Sequence, residues 1–114
     1  MSGTIYVSSS ISWDAKSSMF HVIIDRIRPA AEQLMDREEA ALFFSAVDSN
    51  LHFLDLGDLS PRRFSQVAKL LQDAYESCKN DPVVSKWYDG KFLSMFDELM
   101  AVVRCDLRNS GGLE

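Results

Sequence analysis

Cysteine is scarce: only Cys78 and Cys105 stand in a chain of 114 residues, and they do not form C-x-x-C. A zinc ribbon and a thioredoxin-like redox pair are thereby excluded. Each cysteine falls near the apolar side of a helical pattern, which reads as a small buried hydrophobe. Histidine is equally rare, with His21 and His52 alone and no H-E-x-x-H. No G-x-S-x-G is present, so neither zinc-protease nor serine-nucleophile chemistry has visible equipment. The five glycines form neither G-x-G-x-x-G nor G-x-x-x-x-G-K, which removes the usual phosphate cradles. Asp48-x-Asn50 begins like a calcium loop. Phe53, however, stands where that loop needs its turn glycine, and Leu59 where it needs a bidentate acid. The adjacent pairs Glu38-Glu39 and Asp97-Glu98 diverge by about 100° on a helix and cannot converge on one substrate atom. The reading assigns no catalytic residue, metal ligand or cofactor, and the chain is expected not to be an enzyme.

Long apolar runs are also missing. The longest span a few residues, far short of the roughly 20 needed to cross a bilayer. The start, Met1-Ser2-Gly3-Thr4, has neither the basic region nor the apolar stretch of a secretory signal. The expected location is the cytoplasm, with no membrane partner. Basic residues are not gathered on one face either. Arg26 with Arg28 and Arg62 with Arg63 are small pairs, too few for nucleic-acid binding. Arg62 and Arg63 fall in the first turn of an expected helix, where the macrodipole disfavours cations. They read as solvated arginines or as partners for Asp55 or Asp58.

What is present is a globular composition: 46% hydrophobic and 25% charged residues exclude general disorder and suit one domain able to support its own core. Formal net charge is −5, and its placement says more than its size. From Glu38 to Pro61 there are five acids (Glu38, Glu39, Asp48, Asp55, Asp58) and no Lys or Arg, while the rest of the chain balances twelve acids against twelve bases. All the excess charge therefore sits in one stretch. Such a field repels nucleic acid and anionic membrane and favours a basic protein partner.

Periodicity gives the elements. Thr4–Ile11 reads as a loose arm or a short strand. A helix is expected to start near Trp13 or Asp14, capped by Ser12, and to carry Phe20, Ile23, Ile24, Ile27, Ala31 and Leu34. Pro29 should kink or divide it. Asp36 with Glu39 has the form of a capping box before Ala40, Phe43, Phe44 and Val47, and Asp48-Ser49-Asn50 stops that helix. Leu51–Leu56 is ambiguous between a strand pairing with the arm and an extended loop. Ser60-Pro61 starts a strongly amphipathic helix through Cys78. Asp81-Pro82 starts a short helix with Val83, Val84, Trp87 and Tyr88, which Asp89-Gly90 breaks. A last helix carries Phe92, Phe96, Leu99, Met100 and Val103 and should end near Arg108, leaving residues 109–114 as a flexible tail. The fold expected is an all-α bundle of four to five helices in a single domain over residues 1–114. A minor two-stranded element from Ile5–Val7 and Leu51–Leu56 is allowed, with α+β as the alternative.

The acidic stretch is the candidate binding surface. Asp48, Asp55 and Asp58 lie on turns and irregular chain, where function concentrates. His52, Phe53 and Tyr6 could supply aromatic contacts between them, with Glu38 and Glu39 on the neighbouring helix start. Trp13, Trp87 and Tyr88 read as core aromatics, although an exposed tryptophan would mark a binding hot spot.

The run Leu54-Asp55-Leu56-Gly57-Asp58-Leu59-Ser60-Pro61-Arg62-Arg63-Phe64 resembles the LD-x-x-x-LS-P-x-x-F segment of small bacterial toxin-immunity proteins. Trp87 and the later Cys105-Asp106-Leu107-Arg108 are similar to the Trp and the D-x-R ending of such chains. The resemblance implies a cytosolic protein that binds and neutralises one cognate toxin, of the contact-dependent inhibition or secreted-effector kind. Many such toxins are basic, and an acidic surface would speed association with one. The function expected is thus an immunity-type inhibitor, a monomer or weak dimer, recognising a basic toxin domain. The alternative is a secretion chaperone or adaptor, which would dimerise and expose an apolar groove.

Overall fold

The computed structural model describes residues 2–106, so Leu107, Arg108 and the expected tail over 109–114 lie outside the described residues. The chain divides into two compact units between Leu59 and Ser60.

The first unit begins with a hairpin. Strand β1 (Ser2–Tyr6) pairs antiparallel with β2 (Ser12–Lys16), Thr4 opposite Asp14 and Ile5 opposite Trp13. The Ile11 carbonyl accepts the N–H groups of both Val7 and Ser8, at 2.9 and 3.1 Å, which closes the serine-rich connection. Strand β3 (Phe53–Asp55) joins β1 in parallel with Leu54 opposite Ile5, giving the order β2-β1-β3. Thr4 N–H donates to the His52 carbonyl at 3.0 Å and Leu56 N–H to the Tyr6 carbonyl at 2.7 Å, so the ladder runs past both ends of β3. Alternation sets the faces. Gly3, Ile5, Trp13, Ala15 and Leu54 are buried, and their strand neighbours are exposed or half-buried.

This sheet corrects the all-α expectation: the chain is mostly helical, with five helices among the described residues, but it is α+β. The N-terminal arm does pair with the 51–56 segment. The third strand replaces the expected helix start: Ser12-Trp13-Asp14-Ala15-Lys16 has the polar start of a capped first turn, but it alternates polar and apolar with a period of two. Ser12 is therefore no cap, and α1 starts later, at Ser17–Leu34. It runs through Pro29 as one helix, with the proline on an exposed face. Met19, Phe20, Ile23, Ile24, Ile27 and Ala31 are buried, and the helix lies against β1 and β2. Gly3 permits that approach. A β-carbon there would lie 2.4 Å from both Cβ and Cγ of Phe20.

Helix α2 (Arg37–Phe43) is capped by Asp36, whose carboxylate accepts the Glu39 N–H at 2.8 Å. Phe44, fully buried, separates it from the single turn α3 (Ser45–Asp48). The expected stop follows, with Asn50 and His52 both left-handed at φ 63° and 57°.

In the second unit, α4 (Pro61–Lys79) is capped by the Ser60 hydroxyl, which accepts the Arg63 N–H at 3.2 Å, and it buries Phe64, Val67, Ala68, Leu71, Ala74 and Cys78. Asp81 accepts the N–H groups of Val83 and Val84 at 2.8 and 3.1 Å, as a start signal should. The expected short helix is only a 3-10 turn that comes apart at Trp87, because Tyr88, Asp89 and Gly90 are all left-handed (φ 54°, 57° and 85°). Helix α5 (Lys91–Arg104) packs on α4, the Tyr75 and Phe96 rings meeting edge to face at 5.2 Å. It ends at Arg104, short of the expected Arg108, which leaves Cys105 exposed and not buried as expected; Cys78 is buried. Trp13 is buried and Trp87 half-buried against Phe92.

Two substitutions test these local causes. Gly3→Ala should lower stability by about 1–3 kcal/mol, since helix or strand must shift to admit the methyl. Ser60→Ala should cost about 1 kcal/mol through loss of the cap. Urea unfolding of each variant measures both.

Candidate partner-binding surface

The five acids of the 38–61 stretch take up different environments. Asp48, at the end of α3, is neutralised within the fold: the Arg28 guanidinium from α1 holds both its carboxylate oxygens, at 2.7 and 2.9 Å. Arg28 also contacts Glu32 at 3.3 Å, one turn on, and lies over the Phe44 ring, 4.7 Å from its centroid. One side chain thus ties α1 to both ends of α3, by charge and by cation–π contact. The hydrogen bonds from Arg28 hold the Asp48 carboxyl below the usual carboxylate range, and those to Asp48 lead in raising the guanidinium further above its already high value. These residues line a hollow of about 360 Å³ with Arg37, Ala40 and Ala41, in which acids and arginines balance.

Three other acids converge elsewhere. Glu39 from α2, Asp55 at the end of β3 and Asp58 beyond it line a cleft of about 410 Å³. Its other walls are largely apolar: Met35, Leu42, Phe43, Phe53, Ala46 and Leu59, with Ser45. No Lys or Arg is among the lining residues. Leu42 is 76% exposed at the rim. The Asp55 carboxylate accepts the Gly57 N–H at 2.7 Å, which fixes the turn after β3. Asp58 is exposed and, among the described residues, takes no hydrogen bond or ion pair. Asp55 and Asp58 also border a second hollow of about 300 Å³ with Tyr6, Ser8 and Ser9, so they stand between two depressions. Tyr6 meets Phe53 edge to face, centroids 5.8 Å apart.

Of the residues expected to form the binding surface, the cleft therefore brings together Glu39, Phe53, Asp55 and Asp58 and leaves out three. Glu38 is exposed in the first turn of α2. Asp48 is held by Arg28. His52 is half-buried, its Nδ1 2.9 Å from Nε2 of His21, a hydrogen bond joining α1 to the chain before β3. That bond needs one protonated and one bare ring nitrogen. Neither histidine is in the cleft wall. Sequence reasoning missed the apolar half of the cleft, although Leu42 offered a signal: it lies off the Ala40, Phe43, Phe44, Val47 stripe, so it cannot point into the same core. Arg63 donates to Gln66 at 2.8 Å.

No family model matches the chain, and no curated protein matches it. Among solved structures the chain is similar to one in the structure described as "CdiA-CT toxin from Burkholderia pseudomallei E479 in complex with cognate CdiI immunity protein". The TM-score is 0.71 at 14% identity, over 94% of this chain and 98% of that chain. At that identity the likeness establishes a shared fold.

The Arg28–Asp48 pair carries a pH signature. Because the folded carboxyl titrates below its unfolded value, the pair stabilises the fold at and above the ordinary carboxylate range. That contribution is lost as pH falls through the lowered value. Side-chain carboxyl NMR should show Asp48 titrating low in the native chain and returning upward in Arg28→Gln; no movement would mean that the pair does not persist in solution.

Proposed function

We propose that this chain is an immunity-type inhibitor that binds and neutralises a cognate toxin through the acidic surface around Glu39, Asp55 and Asp58. The observation that carries the reading is the fold likeness over nearly the whole of both chains to a chain from a toxin–immunity complex. The charge distribution supports the inhibitor side of such a pair. A net charge of −5 placed in one segment would steer a basic protein into contact. The reading assigns the chain no chemical step; inhibition follows from occupying the toxin.

Co-expression with a toxic domain drawn from the products of neighbouring genes tests it. The chain should restore growth and bind that domain with nanomolar affinity. Asp55→Lys with Asp58→Lys should slow association by about tenfold or more at low salt, whereas Asp73→Lys on α4 should leave it unchanged. Binding unaffected by the double reversal would refute the acidic surface. Growth arrest by this chain expressed alone would assign it the toxin side and overturn the proposal.

A further inference from the structure

The sheet ends in two outer strands, β2 and β3, and their free edges differ. On β3 the bonds to β1 come from alternate residues. The His52 carbonyl accepts from Thr4 and the Leu56 N–H donates to Tyr6, so Leu54, between them, also turns its backbone to β1. Alternation then points the N–H and C=O groups of Phe53 and Asp55 away from β1. None of these four groups takes a hydrogen bond among the described residues. Asp55 is exposed and Phe53 half-buried, so this edge reaches the surface. The β2 edge carries Ser12, Asp14 and Lys16, all exposed, and the Asp14 carboxylate accepts the Thr4 hydroxyl at 2.6 Å. A polar, charged edge of that kind resists the addition of another strand. The β3 edge instead borders the cleft that Phe53 shares with Leu42 and Phe43.

We infer that β3 takes on a fourth strand from the protein partner: a short extended segment, neutral or basic, pairs with the backbone of Phe53 and Asp55 and turns apolar side chains toward the cleft. This deepens the immunity-type reading and rests on it only for the class of partner. Donors and acceptors that alternate along an edge are matched in spacing by another extended chain, whereas a helix spends its backbone groups on itself. A residue placed opposite Phe53 has its side chain on the same face as that ring, where a β-branched or aromatic group gains most. Burying the exposed apolar surface of Phe53, Phe43 and Leu42 adds to the gain. Charge decides against a second copy of this chain as the donor. Two β3 edges brought together would set Asp55 and Asp58 of one copy against the same acids of the other, and each chain carries a net charge of −5. The Gly57 N–H that the Asp55 carboxylate accepts does not remove that charge. The argument asks for no cation at any one carboxylate; it asks for a strand that is not acidic.

Backbone pairing leaves a mark that side-chain binding does not. The peptide Ac-Lys-Val-Thr-Val-Lys-NH2 is titrated to millimolar concentration into the nitrogen-15-labelled full chain. The amides of Phe53 and Asp55 should shift saturably, and their hydrogen exchange should slow about fivefold at saturation. The Leu54 amide, already bonded to β1, should keep its rate. The same peptide methylated on the nitrogens of Val, Thr and Val cannot donate from either side of its strand and should bind at least about tenfold more weakly. Ac-Glu-Val-Thr-Val-Glu-NH2 should also bind more weakly. On the protein, Asp55→Pro removes the outward N–H and Asp55→Ala keeps it, while both lose the same carboxylate. The proline variant should bind the first peptide about fivefold more weakly than the alanine variant. Should Asp55→Pro not fold, the methylated peptide decides alone. No saturable shift, equal binding of the methylated peptide, or shifts that leave exchange at Phe53 and Asp55 unchanged would overturn the inference. The two proposals fail separately. If no toxin binds but the first peptide pairs with β3, the immunity reading falls and the edge stands. If a toxin binds and the Phe53 and Asp55 amides exchange as fast as in the free chain, the edge inference falls and the immunity reading stands.

Discussion

The close approach of α1 to β1, which Gly3 alone permits, sets the geometry of the first unit. Phe20 occupies the space that any larger residue at position 3 would claim. With helix and hairpin so apposed, the buried faces of both can shed water together: Ile5, Trp13 and Ala15 from the strands, Phe20, Ile23, Ile24 and Ile27 from the helix. β1 then becomes the central strand and offers β3 its remaining edge. The 50–58 segment gains a defined path from that pairing, and Asp55 and Asp58 gain their positions. The proposed binding surface is thus set by a packing contact that none of its own residues makes.

Helix periods and caps were legible in the sequence because they depend on neighbours a few positions apart. Ser60 caps α4, Asp36 caps α2, and the apolar stripes of α1, α4 and α5 are buried as their spacing implies. What failed involved either too short a window or too long a distance. Five residues from Ser12 to Lys16 carry a strand period that a nearby helix start obscured. The left-handed run at Tyr88-Asp89-Gly90 interrupts a segment whose composition alone suits a helix, although Asp89-Gly90 marked the break. The Arg28–Asp48 and His21–His52 pairs join residues far apart in the chain, and nothing local announces them. Four residues that line the cleft, Glu39, Phe53, Asp55 and Asp58, were picked out in the sequence by charge and composition. Of its apolar half, Leu42 is marked by lying off the buried stripe, whereas Phe43 lies on that stripe and is indistinguishable from a core residue until the face it occupies is known.

Electrostatically, the fold sorts like charges into two kinds. Arg28 takes Asp48 out of the field that a partner would sense, and the same guanidinium covers the Phe44 face, so the neutralised acid also helps to hold α3. Asp58 remains exposed and Asp55 spends one oxygen on the turn at Gly57. The segment's raw count of five acids therefore overstates its attraction for cations.

The exposure of Leu42, Asp58 and Ser45 has a further consequence. None of these side chains supports the buried interior, so each can be exchanged at little cost to folding stability. Within the proposed surface, these three positions are therefore separable from the structural interior, whereas Asp55 also holds the turn at Gly57. A lineage bearing this fold could therefore re-pair with a new partner through a handful of surface exchanges while every strand and helix stayed in place, and two such lineages would soon share a backbone and little else.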